Sequence, residues 1–306
     1  MNSIPKIQVF LSTYNGEKYI KEQIISLISQ ECVEVSILVR DDGSTDNTCR
    51  ILSELSEQGL IKFYPGKNVG YAKSFLDLVR QECSADYYAF CDQDDVWLPD
   101  KLISAVKKIK RNGISCSGKP ILYASSLQRV DENLKFLELQ SFKNLKLTLG
   151  AEFTRHRLAG CTFVFNEELR NLLKKSTDDL ICSHDRLATI LTLACDGKLF
   201  FDTVSYILFR RHGTNTSVDG IGILNKIKKD LNHYFSGGND ASKLAEVLLD
   251  IYKEDLNNKA ISFLTKVANY KNTPLNTIKL SLNKQIDCGF WFFNIYVRAM
   301  ILIRLF

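Results

Sequence analysis

The sequence predicts an α/β fold in which a mostly parallel central sheet is flanked by helices and followed by a helical C-terminal extension. Short apolar runs alternate with helical patterns four times in the first hundred residues, which is typical of parallel βα units. Three polar loops, at 12–16, 41–46 and 92–95, follow predicted strands. Because open α/β sheets bind ligands at the carboxyl ends of their strands, these loops form the predicted ligand site.

A local pattern supports each predicted element. Apolar runs of strand length identify the first four strands, at 7–11, 35–40, 61–64 and 87–91. Apolar residues at helical spacing identify helices at about 17–30, around 51–55 and around 75–79. Later helices are predicted after 100, at 166–174 and from 184, and later strands at 121–125, within 158–165 and at 200–209. The segment 136–152 fits neither pattern and is interpreted as a variable segment over the site.

The composition describes an ordinary globular protein with a modest positive charge. The 306 residues are 45% hydrophobic and 25% charged, and the formal net charge is +5. This charge is too small to indicate a nucleic-acid partner, whereas it is compatible with an anionic substrate or an anionic membrane surface. The nine cysteines form no C-x-x-C pair, which predicts reduced side chains and a cytoplasmic location. We see no signal peptide and no spanning segment.

The composition changes after about residue 220, where helical patterns dominate and glycines become few. We therefore expect a first domain over 1–220, which carries the polar loops, and a helical region over 221–306. The last segment, 290–306, is apolar, and basic residues occur at 226–229. The polar residues of the segment 290–306 fall on one side of a helical wheel, and they are Asn294, Arg298 and Arg304. This pattern predicts either a contact with the inner face of the cell membrane or a homodimer contact.

An acidic loop follows the fourth predicted strand. Asp92, Asp94 and Asp95 lie between an apolar run and the start of a helix. Carboxylate oxygens at a strand end suit Mg²⁺ or Mn²⁺, and such a cation in turn suits a diphosphate. The alternative is a solvated loop that only caps the following helix.

Four motifs together carry a resemblance to a known family. They are STYNG at 12–16, RDDGSTD at 40–46, NVG at 68–70 and DQDDVW at 92–97. In order and spacing they resemble the family 2 glycosyltransferases, over residues 7 to about 215. The resemblance implies the GT-A fold, which is a Rossmann-like sheet flanked by helices. The segments 91–97 and 209–215 are most similar to bacterial rhamnosyltransferases of cell-surface polysaccharide biosynthesis, as in O-antigen or capsule assembly.

The resemblance implies which residues bind the nucleotide sugar. Thr13 and Tyr14 are similar to the walls of the nucleotide pocket. Asp41 resembles the carboxylate that accepts a hydrogen bond from the pyrimidine base, and an acceptor at a strand end suits that contact. Arg210 and Arg211 resemble residues beside the diphosphate.

The resemblance also implies a metal site that would hold Mg²⁺ or Mn²⁺. Asp92 and Asp94 resemble the DXD pair, in which Asp94 binds the metal and Asp92 approaches the ribose or the metal. Asp95 is an additional acid at the donor sugar. His212 is similar to the C-terminal histidine that approaches the metal or the diphosphate.

On the acceptor side, the resemblance implies one small residue and one base. Gly160 resembles the small residue of the acceptor-side glycine loop. Asp185 matches the acid that serves as catalytic base, and most members have glutamate before it. His184 therefore departs from the family pattern, and we do not expect it to be catalytic.

The implied activity is metal-dependent, inverting transfer of a sugar, with L-rhamnose from dTDP-L-rhamnose favoured, to a hydroxyl of a glycan or polyprenyl-diphosphate-linked acceptor. Two alternatives stay open: the same reaction with a UDP-hexose, and a non-catalytic protein that binds a sugar nucleotide. A dinucleotide-binding oxidoreductase is excluded, because G-x-G-x-x-G does not follow the first strand.

Overall fold

A mixed β-sheet runs through the centre of the structure, with helices on both faces. The computed structural model describes residues 3–113, 118–140, 142–177, 182–211 and 240–306. Its strands are β1 (Lys6–Thr13), β2 (Glu34–Asp41), β3 (Lys62–Pro65), β4 (Tyr87–Cys91), β5 (Val96–Trp97), β6 (Ile121–Val130), β7 (Phe136–Leu139), β8 (Val164–Phe165) and β9 (Lys198–Arg210).

The helices fall into two groups along the chain. Those between strands are α1 (Ile20–Ile28), α2 (Thr48–Glu57), α3 (Tyr71–Arg80), α4 (Lys101–Gly113), α5 (Leu149–Thr154), α6 (Glu167–Lys174) and α7 (His184–Ala194). Those of the C-terminal extension are α8 (Ala241–Tyr252), α9 (Asn258–Ala268), α10 (Pro274–Ser281) and α11 (Trp291–Leu302). The predicted helical extension is therefore confirmed.

The sheet has the order β3-β2-β1-β4-β8-β6-β9-β5, with β7 paired to β6. β1 pairs in parallel with β2 and β4, and parallel pairs also join β2 to β3 and β6 to β9. Antiparallel pairing is confined to the short strands β5, β7 and β8. The prediction of a mostly parallel sheet flanked by helices is confirmed. As predicted, the polar loops at 12–16, 41–46 and 92–95 leave β1, β2 and β4 at the same edge.

Element boundaries differ from the prediction where tertiary contacts decide them. The first helix was expected from about 17, but the carbonyl of Gly16 accepts hydrogen bonds from Tyr19 N and Ile20 N, and this turn delays the helix to Ile20. β6 continues to Val130, beyond the predicted end at 125, because β9 pairs along its length. The ambiguous segment 136–152 contains β7 and the start of α5.

Two apolar layers pack on opposite faces of the sheet. One layer contains buried residues of α1, α2 and α4. The other contains buried residues of α3, α5, α6 and α7, and it is continuous with the cores of α8 to α11. The C-terminal helices therefore share a hydrophobic core with the helices that carry the acceptor side of the site. The boundary expected between 220 and 221 falls outside the described residues, so this domain division stays a prediction.

Helix α11 turns its polar residues toward the protein. Arg298 donates to backbone carbonyls that include Ile286 O at 3.1 Å, and Asn294 Nδ2 donates to Asp287 Oδ1 at 2.8 Å. Trp291 and Ile295 are left 75% and 58% exposed. Within the described ranges, no helix combines the length and the apolar character that crossing a membrane requires.

Candidate active site

The predicted nucleotide side of the site lies where β1 and β2 end. Thr13 and Asp41 are opposite each other in the parallel register of these two strands. Asp41 is buried, and its Oδ2 accepts hydrogen bonds from Gly43 N at 3.1 Å and Ser44 N at 2.9 Å. Its Oδ1 is buried without a hydrogen-bond partner among the described residues. That oxygen is an available acceptor, as a contact with a base N–H requires.

Gln93 joins the first polar loop to the acidic loop. Its Oε1 accepts from Thr13 Oγ1 at 2.6 Å and from Tyr14 N at 2.8 Å, and its Nε2 donates to Tyr14 O at 3.2 Å. A Cβ at Gly16 would lie 2.6 Å from both Gln93 Oε1 and Thr13 Oγ1, so glycine is needed for this close approach. Gln93 belongs to the motif at 92–97, but nothing in that motif indicated this bridging role.

A second acid after β2 has a structural role that the sequence did not reveal. Asp42 Oδ1 accepts from Arg40 Nη1 at 2.5 Å and from Val69 N at 2.9 Å, while Oδ2 accepts from Gly70 N at 2.9 Å. Both Arg40 and Asp42 are buried, and Arg40 Nε also pairs with Asp77 Oδ2 at 3.0 Å. This network fixes the segment at 68–70 beside the predicted nucleotide side of the site.

The acidic loop after β4 concentrates negative charge in a buried place. Burial and the neighbouring carboxylates of Asp94 and Asp185 raise the pKa of Asp92 to about 7. Burial and Asp94 also raise the pKa of Asp95 well above its usual range. Asp95 Oδ1 accepts from Arg210 N at 3.2 Å, but Oδ2 is buried with no hydrogen-bond partner in the described part of the chain. A bound cation would relieve this repulsion.

The residue types at this loop fit a hard divalent cation. Ligand atoms of Asp92, Asp95 and Cys161 all lie within 4.8 Å of one another. Burial and the two carboxylates raise the pKa of Cys161 well above its usual range, which favours the protonated thiol in the metal-free protein. The other ligand atoms are carboxylate oxygens, which Mg²⁺ and Mn²⁺ prefer. Asp94, the predicted ligand, lies between Asp92 and Asp95 in the same loop but is not one of these three residues, so its role as a ligand stays a prediction.

Arg210 supports the acidic loop from beneath. Its Nε donates to the Asp94 carbonyl at 2.9 Å, and its other guanidinium nitrogens contact Glu22 and the Glu132 carbonyl. This guanidinium is buried and also lies over the ring of Tyr19. Contacts of this kind make it a positioning group for the loop, while its predicted place beside a diphosphate stays a prediction.

The other two residues predicted near the diphosphate are less well defined. Arg211 follows β9, and its backbone N donates to Val130 O at 2.8 Å. The expected metal or diphosphate contact of His212 lies outside the described residues.

The predicted acceptor side lies where the turn at 160–162 meets the start of α7. A Cβ at Gly160 would lie 2.8 Å from His184 Nε2 and 3.1 Å from Asp185 Cβ, so a larger residue would push α7 away. His184 stacks on Phe75 with ring centroids 4.0 Å apart and meets Phe90 edge-on. Burial lowers the pKa of His184 to about 4, which makes it a neutral packing residue at ordinary pH.

Asp185 has a partner that the sequence did not predict. His156 Nε2 lies 3.4 Å from Asp185 Oδ2, and His156 Nδ1 lies 2.6 Å from Glu152 Oε2. The four-residue spacing of Glu152 and His156 was a weak signal, but their meeting with α7 depends on tertiary packing. Apart from His212, each predicted site residue is thus found at, or directly behind, one edge of the sheet.

Comparison with known proteins then identifies the family. A family model described as Glycosyl transferase family 2 matches residues 8–172. The chain belongs to this family. It is a glycosyltransferase, and its curled mixed sheet and helices form the GT-A fold.

The relatives and structural neighbours support this assignment. The dTDP-rhamnosyl transferase RfbG of Shigella flexneri is 30% identical over 233 residues, which cover 72% of this chain and 77% of that protein. The chondroitin synthase of Escherichia coli is 28% identical over 113 residues, which cover 37% of this chain and 16% of that protein. Among solved structures, S. aureus TarS 1–349 in complex with UDP-GlcNAc has a TM-score of 0.59 at 18% identity, covering 98% of this chain and 82% of that one.

Proposed function

We propose that this protein is a metal-dependent inverting glycosyltransferase that moves L-rhamnose from dTDP-L-rhamnose to a hydroxyl of a lipid-linked glycan acceptor in surface polysaccharide biosynthesis. One observation carries the proposal: the carboxylates of Asp92 and Asp185 are close enough for Asp185 to raise the pKa of Asp92. The proposed cation ligand Asp92 and the proposed base Asp185 therefore lie near each other, which supports their action on one bound donor. The similarity to RfbG supports the choice of donor.

The nucleotide is held by the ends of the first two strands. Asp41 Oδ1, the buried oxygen without a partner among the described residues, accepts the N3–H of the base. Thr13 and Tyr14 line the same pocket, and Gln93 fixes both of them relative to the acidic loop.

The diphosphate lies at the acidic loop. Asp94 and Asp92 would hold the Mg²⁺ or Mn²⁺, with Asp95 behind them at the donor sugar. A bound divalent cation would supply positive charge that stabilises the diphosphate as the sugar departs. Arg210 keeps this loop in place through the Asp94 carbonyl and Asp95 Oδ1.

The transfer itself needs a base, because an acceptor hydroxyl is a poor nucleophile at neutral pH. Asp185 takes the hydroxyl proton while the acceptor oxygen bonds to the anomeric carbon. The bond from that carbon to the diphosphate oxygen breaks, and its electron pair leaves with the nucleoside diphosphate. A single displacement from the opposite side inverts the anomeric centre. Gly160 lets the turn at 160–162 pack closely against the start of α7, where Asp185 lies.

A UDP-hexose is the second candidate donor. Uracil and thymine present the same N3–H, so Asp41 does not distinguish them. TarS, which shares the fold, has been crystallised with UDP-GlcNAc. A non-catalytic sugar-nucleotide-binding protein is a weaker candidate, because Asp92, Asp94 and Asp185 are all present.

The test is donor binding and hydrolysis across dTDP-L-rhamnose, UDP-glucose, UDP-galactose and UDP-N-acetylglucosamine, with and without Mn²⁺. We expect metal-dependent preference for dTDP-L-rhamnose, lost in Asp94→Ala and retained in Asp100→Asn, a matched control at an exposed carboxylate. Preference for a UDP-sugar would keep the enzyme and replace the donor. No binding of any donor would refute the proposal.

We also propose that α11 touches the inner face of the membrane, where a lipid-linked acceptor would be presented. Trp291 and Ile295 are exposed on a helix whose polar residues face the protein. Such a surface suits an interfacial contact or a homodimer. Co-sedimentation with anionic vesicles, lost in a Trp291→Glu and Ile295→Glu double variant, is expected. If wild type does not bind vesicles but forms a dimer that the double variant loses, the homodimer contact would be favoured instead.

A further inference from the structure

A histidine lies between two carboxylates beside the proposed base. His156 Nδ1 is 2.6 Å from Glu152 Oε2, and His156 Nε2 is 3.4 Å from Asp185 Oδ2. The side chain of Glu152 is almost fully buried, and those of His156 and Asp185 are largely buried. Each ring nitrogen faces one carboxylate, so the orientation of the ring is fixed from both sides.

The charges of this group are mutually dependent. Burial alone would lower the pKa of His156, but Glu152 and Asp185 raise it to about 10. In the other direction, His156 lowers the pKa of Asp185 well below its usual range, although burial opposes this. At neutral pH an imidazolium therefore lies between two carboxylates. With a proton on both nitrogens, it has no lone pair to accept another, so His156 cannot itself be the base.

We propose that His156, oriented by Glu152, is a positioning residue for Asp185. This inference rests on the proposed function, in which Asp185 is the base. Asp185 Oδ1 accepts from Arg186 N at 2.7 Å, and His156 Nε2 faces Oδ2 at 3.4 Å in an ion pair that lacks hydrogen-bond geometry. Attraction to the imidazolium on one oxygen and the hydrogen bond on the other favour one orientation of the carboxylate, and each oxygen keeps a lone pair that can accept the proton.

Glu152 balances the imidazolium of His156 after the proton has moved to Asp185. When Asp185 takes the acceptor proton, it becomes neutral and no longer balances the imidazolium. A buried cation without a partner would be costly, but Glu152 remains paired with it at 2.6 Å. His156 keeps both of its protons throughout. The group therefore carries one excess negative charge before proton transfer and is neutral after it.

The fold places Glu152 rigidly. A Cβ at Gly150 would lie 2.0 Å from the Gln285 carbonyl oxygen, so only glycine lets α5 pack so closely on the C-terminal region. Phe153 meets Phe263 of α9 edge-on, with centroids 5.5 Å apart. Thr148 caps the helix by accepting from Ala151 N. The C-terminal helices thereby fix the position of Glu152, and through it that of His156.

A double-mutant cycle tests the inference on dTDP-L-rhamnose hydrolysis, in which water is the acceptor and dTDP release is measured. We expect His156→Gln, which keeps the volume and removes the charge, to lower kcat about tenfold to a hundredfold. The KM for the donor should change by less than about twofold, because the nucleotide pocket is untouched. Glu152→Gln should have a smaller effect in the same direction, and Glu57→Gln, at an exposed site, none.

The decisive variant is the combination with Asp185→Asn. If His156 acts through Asp185, His156→Gln leaves the residual rate of Asp185→Asn unchanged. A second loss of equal size in that background would overturn the inference, as would wild-type kcat in His156→Gln. Wild-type hydrolysis in Asp185→Asn would instead refute the base of the proposed function. Melting curves accompany each variant, and if His156→Gln does not fold, Glu152→Gln takes its place in the cycle.

Discussion

Two acidic loops follow the strands on either side of β1, and they differ in how their carboxylates are satisfied. After β2, Asp42 has partners on both oxygens, which are Arg40 and the amides of Val69 and Gly70. After β4, Asp95 has a buried oxygen with no partner among the described residues, and Asp92 has a pKa raised to about 7. Asp42 is therefore satisfied as folded, whereas the loop after β4 has unbalanced negative charge.

The difference separates structural acids from functional ones. A buried carboxylate with a cation and two amides stabilises the loops around it. Buried carboxylates that face one another instead destabilise the metal-free fold, and such clusters are typical of functional sites. Motif letters alone do not make this distinction, because both loops contain adjacent aspartates after a strand.

The largest effect should be on stability, at the satisfied loop. Asp42→Asn leaves Arg40 buried without its closest counter-charge, although Asp77 remains. We expect the free energy of unfolding to fall by about 3 kcal/mol. Asp92→Asn, the matched change at the other loop, should not lower the free energy of unfolding. Denaturant unfolding of both variants measures this, and equal destabilisation would remove the distinction between the loops.

A smaller effect should be on catalysis, and here the loop after β4 should be the sensitive one. Asp92→Asn removes a proposed metal-side carboxylate, and we expect the rate of donor cleavage to fall about a hundredfold, or about 2.7 kcal/mol in activation free energy. Asp42→Asn, assayed well below its melting temperature, should keep most of its rate. A catalytic loss confined to Asp42→Asn would reverse the assignment of the two loops.

A third effect should be a pH dependence of stability in the metal-free protein. The pKa of Asp92 rises from 3.8 to about 7 on folding, so the folded state binds more protons between these values. The free energy of unfolding therefore falls as pH rises through this window, and the destabilisation is complete above pH 7. In EDTA, Asp92→Asn should melt at a higher temperature than wild type at pH 8, and at the same temperature near pH 4. Parallel melting curves at all pH values would contradict this.

The parts of the fold that local pattern decides were predictable. The strand at 87–91 has the predicted bounds, and the polar loops lie at one sheet edge, because apolar periodicity and strand ends are local signals. The roles of Asp42 and His156 were not predictable, since their partners come from distant segments. Asp42 depends on amides 27 and 28 residues away, and His156 on a helix that the sequence left ambiguous.

We propose that the acidic loop after β4 binds a divalent cation and that the one after β2 does not. Electron paramagnetic resonance of free Mn²⁺, titrated with protein in the presence of dTDP, measures this directly. We predict that Asp92→Asn weakens Mn²⁺ binding by at least about tenfold. Folded Asp42→Asn and the control Asp100→Asn should bind as wild type does. Unchanged Mn²⁺ affinity in Asp92→Asn, or loss of binding in folded Asp42→Asn, would contradict the account.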